Sequence, residues 1–184
     1  MSNFFGSFQV ASPLHAEAVQ AVMQWCHDTD YARPGGLVLW SRKFGVGKTH
    51  LASAAHAALR EIYRRGAFLS APEFLDRIKQ TYNDKGGVSE NQLFVNLLGM
   101  DYIILDDVGK EYADKRTWAD EKYFRLIDGV VRNGHSLLLT SNLDLEQLAQ
   151  HVGGAAWSRV AGLCGRHGFV NMNNLNDYRL RVTP

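Results

Sequence analysis

The sequence predicts an α/β fold of three layers, in which helices cover both faces of a five-stranded, mostly parallel sheet. Two observations indicate this class. First, short segments alternate with longer segments that carry one apolar face. Second, the short segments are almost wholly apolar, which is typical of strands in parallel sheets buried on both sides. The chain has 184 residues, of which 46% are hydrophobic. That length and composition predict one folded domain over residues 1–184.

Charge, hydropathy and cysteine content exclude several classes of protein. Twenty Lys and Arg residues against 19 Asp and Glu give a net charge of +1, which excludes a globally basic nucleic-acid coat. The sequence contains no apolar run long enough to span a bilayer, so we expect a cytoplasmic protein without membrane contacts. Cys26 and Cys164 cannot form a disulfide framework, and Cys164 with His167 makes only half of a zinc site.

The elements of the first half follow from turn residues and apolar runs. A helix with one apolar face is predicted over 13–28, followed by a buried strand over 37–40. An alanine-rich helix is predicted over 48–65, where Gly66 is expected to end it, and a second short strand over 67–69.

Capping pairs locate the helices of the second half. Ser70 with Glu73, and Ser89 with Gln92, have the spacing in which a side-chain oxygen caps the first turn. With the apolar runs, these pairs predict helices over 71–83, 89–98 and 117–132, strands over 102–105 and 137–140, and a short helix capped at Asp144.

A glycine-bearing loop follows the first strand and matches the second half of the phosphate-binding pattern G-x-x-x-x-G-K-[ST]. Glycines allow consecutive backbone N–H groups to turn inward around phosphate oxygens, and the following helix directs its positive end to the same place. Lys48 is expected to meet the β- and γ-phosphates of ATP or ADP, and the Thr49 hydroxyl to ligate Mg²⁺. The predicted nucleotide-binding residues are Phe44, Gly45, Val46, Gly47, Lys48, Thr49 and His50.

Arg42 occupies the first glycine position of this pattern. We expect it to require a β-like backbone at that position without abolishing the loop. The alternative is a glycine-rich turn with a surface lysine, which the preceding strand and following helix disfavour.

Two carboxylates end the strand over 102–105. Asp106 is expected to hold Mg²⁺, and Asp107 to orient and polarise the attacking water. A solvated strand end is the alternative for such a pair, and the lysine-bearing loop about 60 residues upstream argues against it.

Asn142 ends the strand over 137–140 and is predicted to lie beside the γ-phosphate and water, where an amide can both donate and accept. The alternative role is the N-cap of the following helix.

These motifs, in this order, resemble those of the AAA+ ATPases. The segments over 44–52, 105–111 and 140–142, with the terminal Asp-Tyr-Arg ending at Arg179, are similar to the bacterial helicase loaders of the DnaC and DnaI type and the related IstB transposition helper. The resemblance spans about residues 4–181. It implies a P-loop AAA+ core over 37–150, a reduced or absent helical lid, and an arginine finger with C-terminal strands over 153–182.

Ser158-Arg159 matches the family's arginine finger, which reaches into the nucleotide site of a neighbouring subunit. The resemblance therefore implies a homo-oligomer in which Arg159 acts in trans and hydrolysis is slow in isolated subunits. From its residue type alone, Arg159 could be a surface arginine, and Arg179 an ion-pair partner.

Departures from the family pattern are present. Asp107 stands where most AAA+ proteins have Glu, and only 42 residues follow Asn142. The loaders' amino-terminal helicase-binding domain has no counterpart, so the sequence is either a piece of a longer protein or a naturally short member.

In loaders, the region after the second strand helps to grip single-stranded DNA. Here it carries cations with one aromatic side chain suited to base stacking. Neighbouring carboxylates support the alternative of a solvated helix face. The candidate DNA contacts are Arg77, Lys79, Tyr82 and Lys85.

The expected function is an ATP- and Mg²⁺-dependent helicase loader, a hydrolase that oligomerises on single-stranded DNA during replication and engages a replicative helicase. The alternatives are a transposition helper ATPase, a P-loop small-molecule kinase, and a nucleotide-gated adaptor that does not hydrolyse ATP.

Overall fold

The computed structural model describes residues 13–62, 64–82, 87–109, 116–165 and 167–176. Helices and strands alternate along most of these ranges. The helices are α1 Pro13–Asp30, α2 Lys48–Glu61, α3 Ala71–Thr81, α4 Glu90–Leu98, α5 Arg116–Arg132, α6 Leu145–Val152 and α7 Gly154–Leu163. The strands are β1 Gly36–Trp40, β2 Gly66–Ser70, β3 Tyr102–Val108, β4 Ser136–Ser141 and β5 Phe169–Asn171. No helix within the described ranges combines the length and apolar composition needed to cross a bilayer.

The strands form one five-stranded sheet in the order β2-β3-β4-β1-β5, and every neighbouring pair is parallel. The prediction of a mostly parallel sheet is confirmed. β1 lies between β4 and β5, with Leu39 opposite Thr140 and Trp40 opposite Ser141. The carboxyl ends of β3, β4 and β1 therefore meet at one edge, where parallel sheets place their ligands.

Side chains of successive strand residues pack on opposite faces of the sheet, because the side-chain period of a strand is two. Leu37 and Leu39 join a buried cluster with α1 and α2, whereas Val38 joins the cluster formed with α3 to α7. Since both clusters are apolar, β1 is buried on both faces, and the predicted three-layer arrangement is confirmed.

The predicted capping pairs form. The Ser70 hydroxyl accepts from the Glu73 N–H at 3.2 Å, and Ser89 caps α4 in the same way. Asp144 and Gln147 make a reciprocal capping box at the start of α6. These contacts satisfy N–H groups that a helix start leaves unpaired.

The predicted end of the alanine-rich helix is wrong. α2 ends at Glu61, and Gly66 begins β2 instead of ending the helix. A Cβ atom at Gly66 would lie 1.9 Å from the Tyr102 ring of the neighbouring strand. Glycine is needed there because the aromatic ring covers the backbone.

The region over 153–182, which is predicted to hold the arginine finger and C-terminal strands, contains the strand β5 within its described residues. Residues 154–163 form α7, whose buried Ala156 and Val160 lie four residues apart on the face that packs in the core. A four-residue apolar spacing is helical, and it places α7 against α5 and β1. The terminal Asp-Tyr-Arg179 lies outside the described residues.

Candidate nucleotide-binding site

The loop between β1 and α2 has the backbone that the phosphate-binding pattern requires. Gly45 and Gly47 have φ of 70° and 96°, in the left-handed region that favours glycine. Gly47 is the N-cap of α2, so Lys48 is the first helical residue. The N–H groups at this helix start, with the glycine turn before it, form a site suited to an anion.

Arg42 occupies the first glycine position without a left-handed backbone. Among the described non-glycine residues, only Ala32 and Asp107 have positive φ. The conformation at position 42 is therefore one that residues with side chains adopt readily. This explains how the loop tolerates arginine where the general pattern has glycine.

Lys48 lies beneath the loop. Its side chain is almost fully buried, and Nζ donates to the carbonyl oxygens of Lys43 at 3.0 Å and Ser41 at 3.3 Å. Val46 is also buried, in the apolar core, so only its main chain can face phosphate. The Phe44 side chain, in contrast, is 61% exposed.

The two predicted metal ligands lie together although 57 residues separate them. The Thr49 hydroxyl donates to both carboxylate oxygens of Asp106, at 2.9 and 3.1 Å. Asp106 is 4% exposed at the end of β3. Hydroxyl and carboxylate oxygens at the edge of a phosphate loop are donors that Mg²⁺ prefers, so these residues fit that ion.

Sequence reasoning missed the role of Thr140, a fully buried residue of β4. Its hydroxyl accepts from the Asp107 N–H at 2.9 Å and donates to the Asp106 carboxylate. Asp107 has φ 58°, at an irregularity in the β3–β4 pairing. Such a backbone costs about 1–3 kcal/mol in a residue other than glycine and persists only where neighbouring groups hold it. A hydroxyl at the end of the apolar Leu-Leu-Leu-Thr run was the available sequence signal.

Asn142 meets Asp107 across the ends of β3 and β4. Its amide nitrogen donates to Asp107 Oδ1 at 3.2 Å. The alternative of an N-cap role is wrong, because Asp144 caps α6. The two residues predicted to handle the attacking water are therefore in direct contact.

Two further residues reach the loop from distant parts of the chain, and the sequence carried no sign of either. Asn173, just after β5, accepts the Arg42 N–H at 2.7 Å and the Ser41 hydroxyl at 3.2 Å. The Arg42 guanidinium binds the Asp144 carboxylate, with Nε 3.2 Å from Oδ2. These contacts join segments that lie more than 100 residues apart.

Arg159 lies away from the site of its own chain. It belongs to α7, is about half exposed, and has Nε 3.1 Å from Asp128 Oδ1 near the end of α5. The end of α5 connects to the beginning of β4, so Asp128, near that end, lies towards the edge of the sheet where the strands begin. Lys48 and Asn142 lie at the other edge, where the strands end. A catalytic role for Arg159 therefore requires a second subunit.

The candidate DNA contacts face carboxylates of the same chain. Each described member of the set has a partner on α3 or α4, so the positive charge of this region is offset locally. The pairs are Arg77 with Glu73 at 2.7 Å, Lys79 with Asp76 at 3.2 Å and Tyr82 with Glu90 at 2.6 Å. Lys85 lies outside the described residues.

Cys164 is a buried thiol, and His167 lies beside a carboxylate. Burial raises the pKa of the Cys164 thiol to about 12, and His167 Nε2 lies 3.5 Å from Asp28. Within the described ranges, no group of three or more His, Cys, Asp or Glu residues could hold a metal ion.

The chain is similar to curated relatives and to solved structures of replication proteins. The replicative helicase loader DnaC of Buchnera aphidicola is 25% identical over 150 residues, covering 80% of this chain and 58% of that protein. A crystal structure of the DnaC helicase loader superposes with a TM-score of 0.77 at 21% identity, covering 93% of this chain and 99% of that one. The replication initiator DnaA bound to AMPPCP and single-stranded DNA gives 0.68 at 20% identity, over 83% of this chain and 44% of that one.

At such identities the structural matches establish the fold, which is the predicted P-loop AAA+ fold. The chain spans little more than half the length of the curated loader that it matches. The model of the IstB-like ATP-binding proteins matches residues 9–180. Since that match covers nearly the whole sequence, the chain belongs to the IstB-like ATP-binding protein family.

Proposed function

We propose that this chain is an ATP- and Mg²⁺-dependent helicase loader that oligomerises on single-stranded DNA. One observation carries the nucleotide chemistry. The phosphate loop, the Thr49–Asp106 pair and the Asp107–Asn142 pair occupy adjacent strand ends. This is the set of groups that phosphoryl transfer to water requires, since positioning and charge stabilisation supply most of its catalysis.

Each group has a distinct role in the proposed hydrolysis. Lys48 and the loop amides bind the β- and γ-phosphates, and Thr49 with Asp106 holds Mg²⁺, which supplies positive charge against the phosphate oxygens. Asp107 accepts a hydrogen bond from the attacking water, and Asn142 orients both the Asp107 carboxylate and the γ-phosphate. Arg159 of a neighbouring subunit stabilises charge on the transferred group.

The loading role is supported by similarity to DnaC proteins and to a DnaA structure that contains single-stranded DNA. A net charge of +1 and the paired cations of α3 favour weak DNA binding by one subunit. Assembly of several copies along a strand multiplies such weak contacts. We therefore expect DNA affinity and ATP turnover to rise together with subunit concentration.

Calorimetric titration of the folded protein with ATP plus Mg²⁺ tests the nucleotide site, and turnover measured with and without single-stranded DNA tests the coupling. We expect saturable heat and DNA-stimulated hydrolysis. Absence of heat with both ATP and ADP contradicts nucleotide binding. Phosphate transfer to a nucleoside or metabolite instead of water would indicate a kinase.

A transposition helper is the second candidate, because the matching family is that of the IstB-like proteins. The same site chemistry serves both roles, so only the partner separates them. We expect the full-length protein that contains this chain, with ATP bound, to retain a replicative helicase in a pull-down and not a transposase. The reverse result would assign the chain to transposition.

Thr140→Val is expected to lower kcat about 10-fold or more and to raise the Mg²⁺ concentration needed for half-maximal turnover. Valine matches threonine in shape but leaves the Asp107 N–H without its acceptor, at a cost of about 1–3 kcal/mol. Thr140→Ser keeps the hydroxyl and should retain wild-type Mg²⁺ dependence. Equal Mg²⁺ dependence and kcat in the valine and serine variants would show that the Thr140 hydroxyl does not position the site.

A further inference from the structure

Arg42 connects three neighbouring strand ends. It follows β1, which lies between β4 and β5 in the sheet. Its main-chain N–H is bound by Asn173, on the β5 side, at 2.7 Å. Its guanidinium reaches in the other direction to Asp144, which lies beyond the end of β4. One residue at the start of the phosphate loop therefore bridges the two strands on either side of β1.

Asp144, the acidic partner of Arg42, is close in the chain to the candidate catalytic residue Asn142. Asp144 is two residues beyond Asn142 and caps α6, so its own position is held by the helix. The pKa of its carboxyl lies below the usual range, first because Arg42 hydrogen-bonds it and second because the Gln147 N–H does so. Asp144, like an ordinary aspartate, is a carboxylate at neutral pH, and it offers Arg42 an ionic partner.

We infer that the Arg42–Asp144 ion pair is a clamp that fixes the distance between the phosphate loop and Asn142, and so positions Asn142 for hydrolysis. The inference rests on the proposed function and assigns a positioning role to the residue by which this loop departs from the general pattern. Arg42 is a positioning residue here, because its effect passes through Asp144 and the strand end.

The exposure of the pair indicates which property it controls. Arg42 is 68% exposed, and ion pairs of that kind contribute little to folding stability. The reaction rate is more sensitive to the position of this contact than folding stability is, since a displacement of about 1 Å at a catalytic group can lower the rate about 100-fold. Loss of the clamp should therefore appear in kcat and in local backbone opening, and hardly in global unfolding.

Three variants isolate the pair. Arg42→Gly restores the glycine of the general pattern, so a loop that merely tolerates arginine should improve or stay unchanged. Asp144→Asn removes the charge but keeps a side chain that caps helices well. Arg42→Lys retains the positive charge without the two-pronged guanidinium.

We expect Arg42→Gly and Asp144→Asn each to lower kcat about 10-fold, with nucleotide Kd changed less than about 3-fold. The double variant should be no worse than either single variant, because the two residues act through one contact. Arg42→Lys should recover part of the lost rate. Thermal unfolding midpoints should stay close to that of the parent.

Backbone amide hydrogen exchange without nucleotide gives a readout independent of activity. Faster exchange is expected over 43–47 and 142–144 together in both single variants. Parent-like exchange in these segments, or additive losses of kcat in the double variant, would overturn the clamp. If the parent fails to bind ATP, the proposed function fails, while the exchange result still decides the contact.

Discussion

Lys48→Ala is expected to abolish measurable ATP binding, raising Kd by about 10²–10⁴-fold. The ammonium group is buried under the loop, where it makes two hydrogen bonds to loop carbonyls. Its replacement removes the cation that we propose binds the phosphates, and charge-assisted hydrogen bonds contribute about 1.5–3 kcal/mol each. Calorimetric titration with ATP plus Mg²⁺ measures the change directly.

Lys43→Ala is the matched control for Lys48→Ala. It removes the same charge from the same loop, but the Lys43 side chain is exposed and only its carbonyl oxygen contacts Lys48. We expect Kd to change less than about 3-fold in this control. Parent-like ATP affinity in folded Lys48→Ala, checked by circular dichroism, would contradict the assignment of the phosphate loop.

Arg159→Ala is expected to leave ATP affinity unchanged and to lower DNA-stimulated turnover about 10³-fold, the lower end of measured arginine-finger effects. The reason is topological. Arg159 lies with Asp128 towards the amino edge of the sheet, whereas Lys48 and Asn142 lie at the carboxyl edge. In the proposed assembly a neighbouring subunit brings Arg159 to the nucleotide, so the loss should appear under assembling conditions alone.

Arg132→Ala is the matched control for Arg159→Ala, because Arg132 also pairs with Asp128, at 2.8 Å. It tests whether loss of an ion pair with Asp128 is enough to lower turnover. If Arg159 only pairs with Asp128, both alanine variants should retain stimulated turnover.

Mixing Arg159→Ala with Lys48→Ala subunits gives a second test. Two inactive proteins should recover activity together, since an intact Arg159 on the Lys48→Ala subunit can serve the intact site of its neighbour. Absence of recovery would exclude action in trans.

The helices, the strands and the nucleotide loop could be predicted from the sequence, because each depends on residues that are close together in the chain. Apolar runs of three or four residues bounded by turn residues favour buried strands, and capping pairs such as Ser70 with Glu73 act within one helical turn. The predictions failed where distant groups decide. α2 stops at Glu61, and Gly66 enters a strand, because β2 must pair with β3 beside the Tyr102 ring.

Part of the candidate site was predictable for a different reason. Parallel strands end at one edge, so Asp106, Asp107 and Asn142 could be assigned to a common site before any distance was known. Their contacts were not predictable. The Asp107–Asn142 hydrogen bond and the Thr140 hydroxyl between the two aspartates depend on the β3–β4 register and its irregularity.

The order of apolar strands, the glycine-lysine-threonine turn and the paired aspartates determined, from local residue patterns alone, that this chain folds as a nucleotide-binding α/β protein. The folded chain decided which side chains meet. Arg42 contacts Asp144 and Asn173 across 102 and 131 residues of sequence, and Arg159 lies at the edge opposite its own site. Side-chain type shows what a residue can bind. Strand order and register set the distances between side chains, and these distances decide which contacts form.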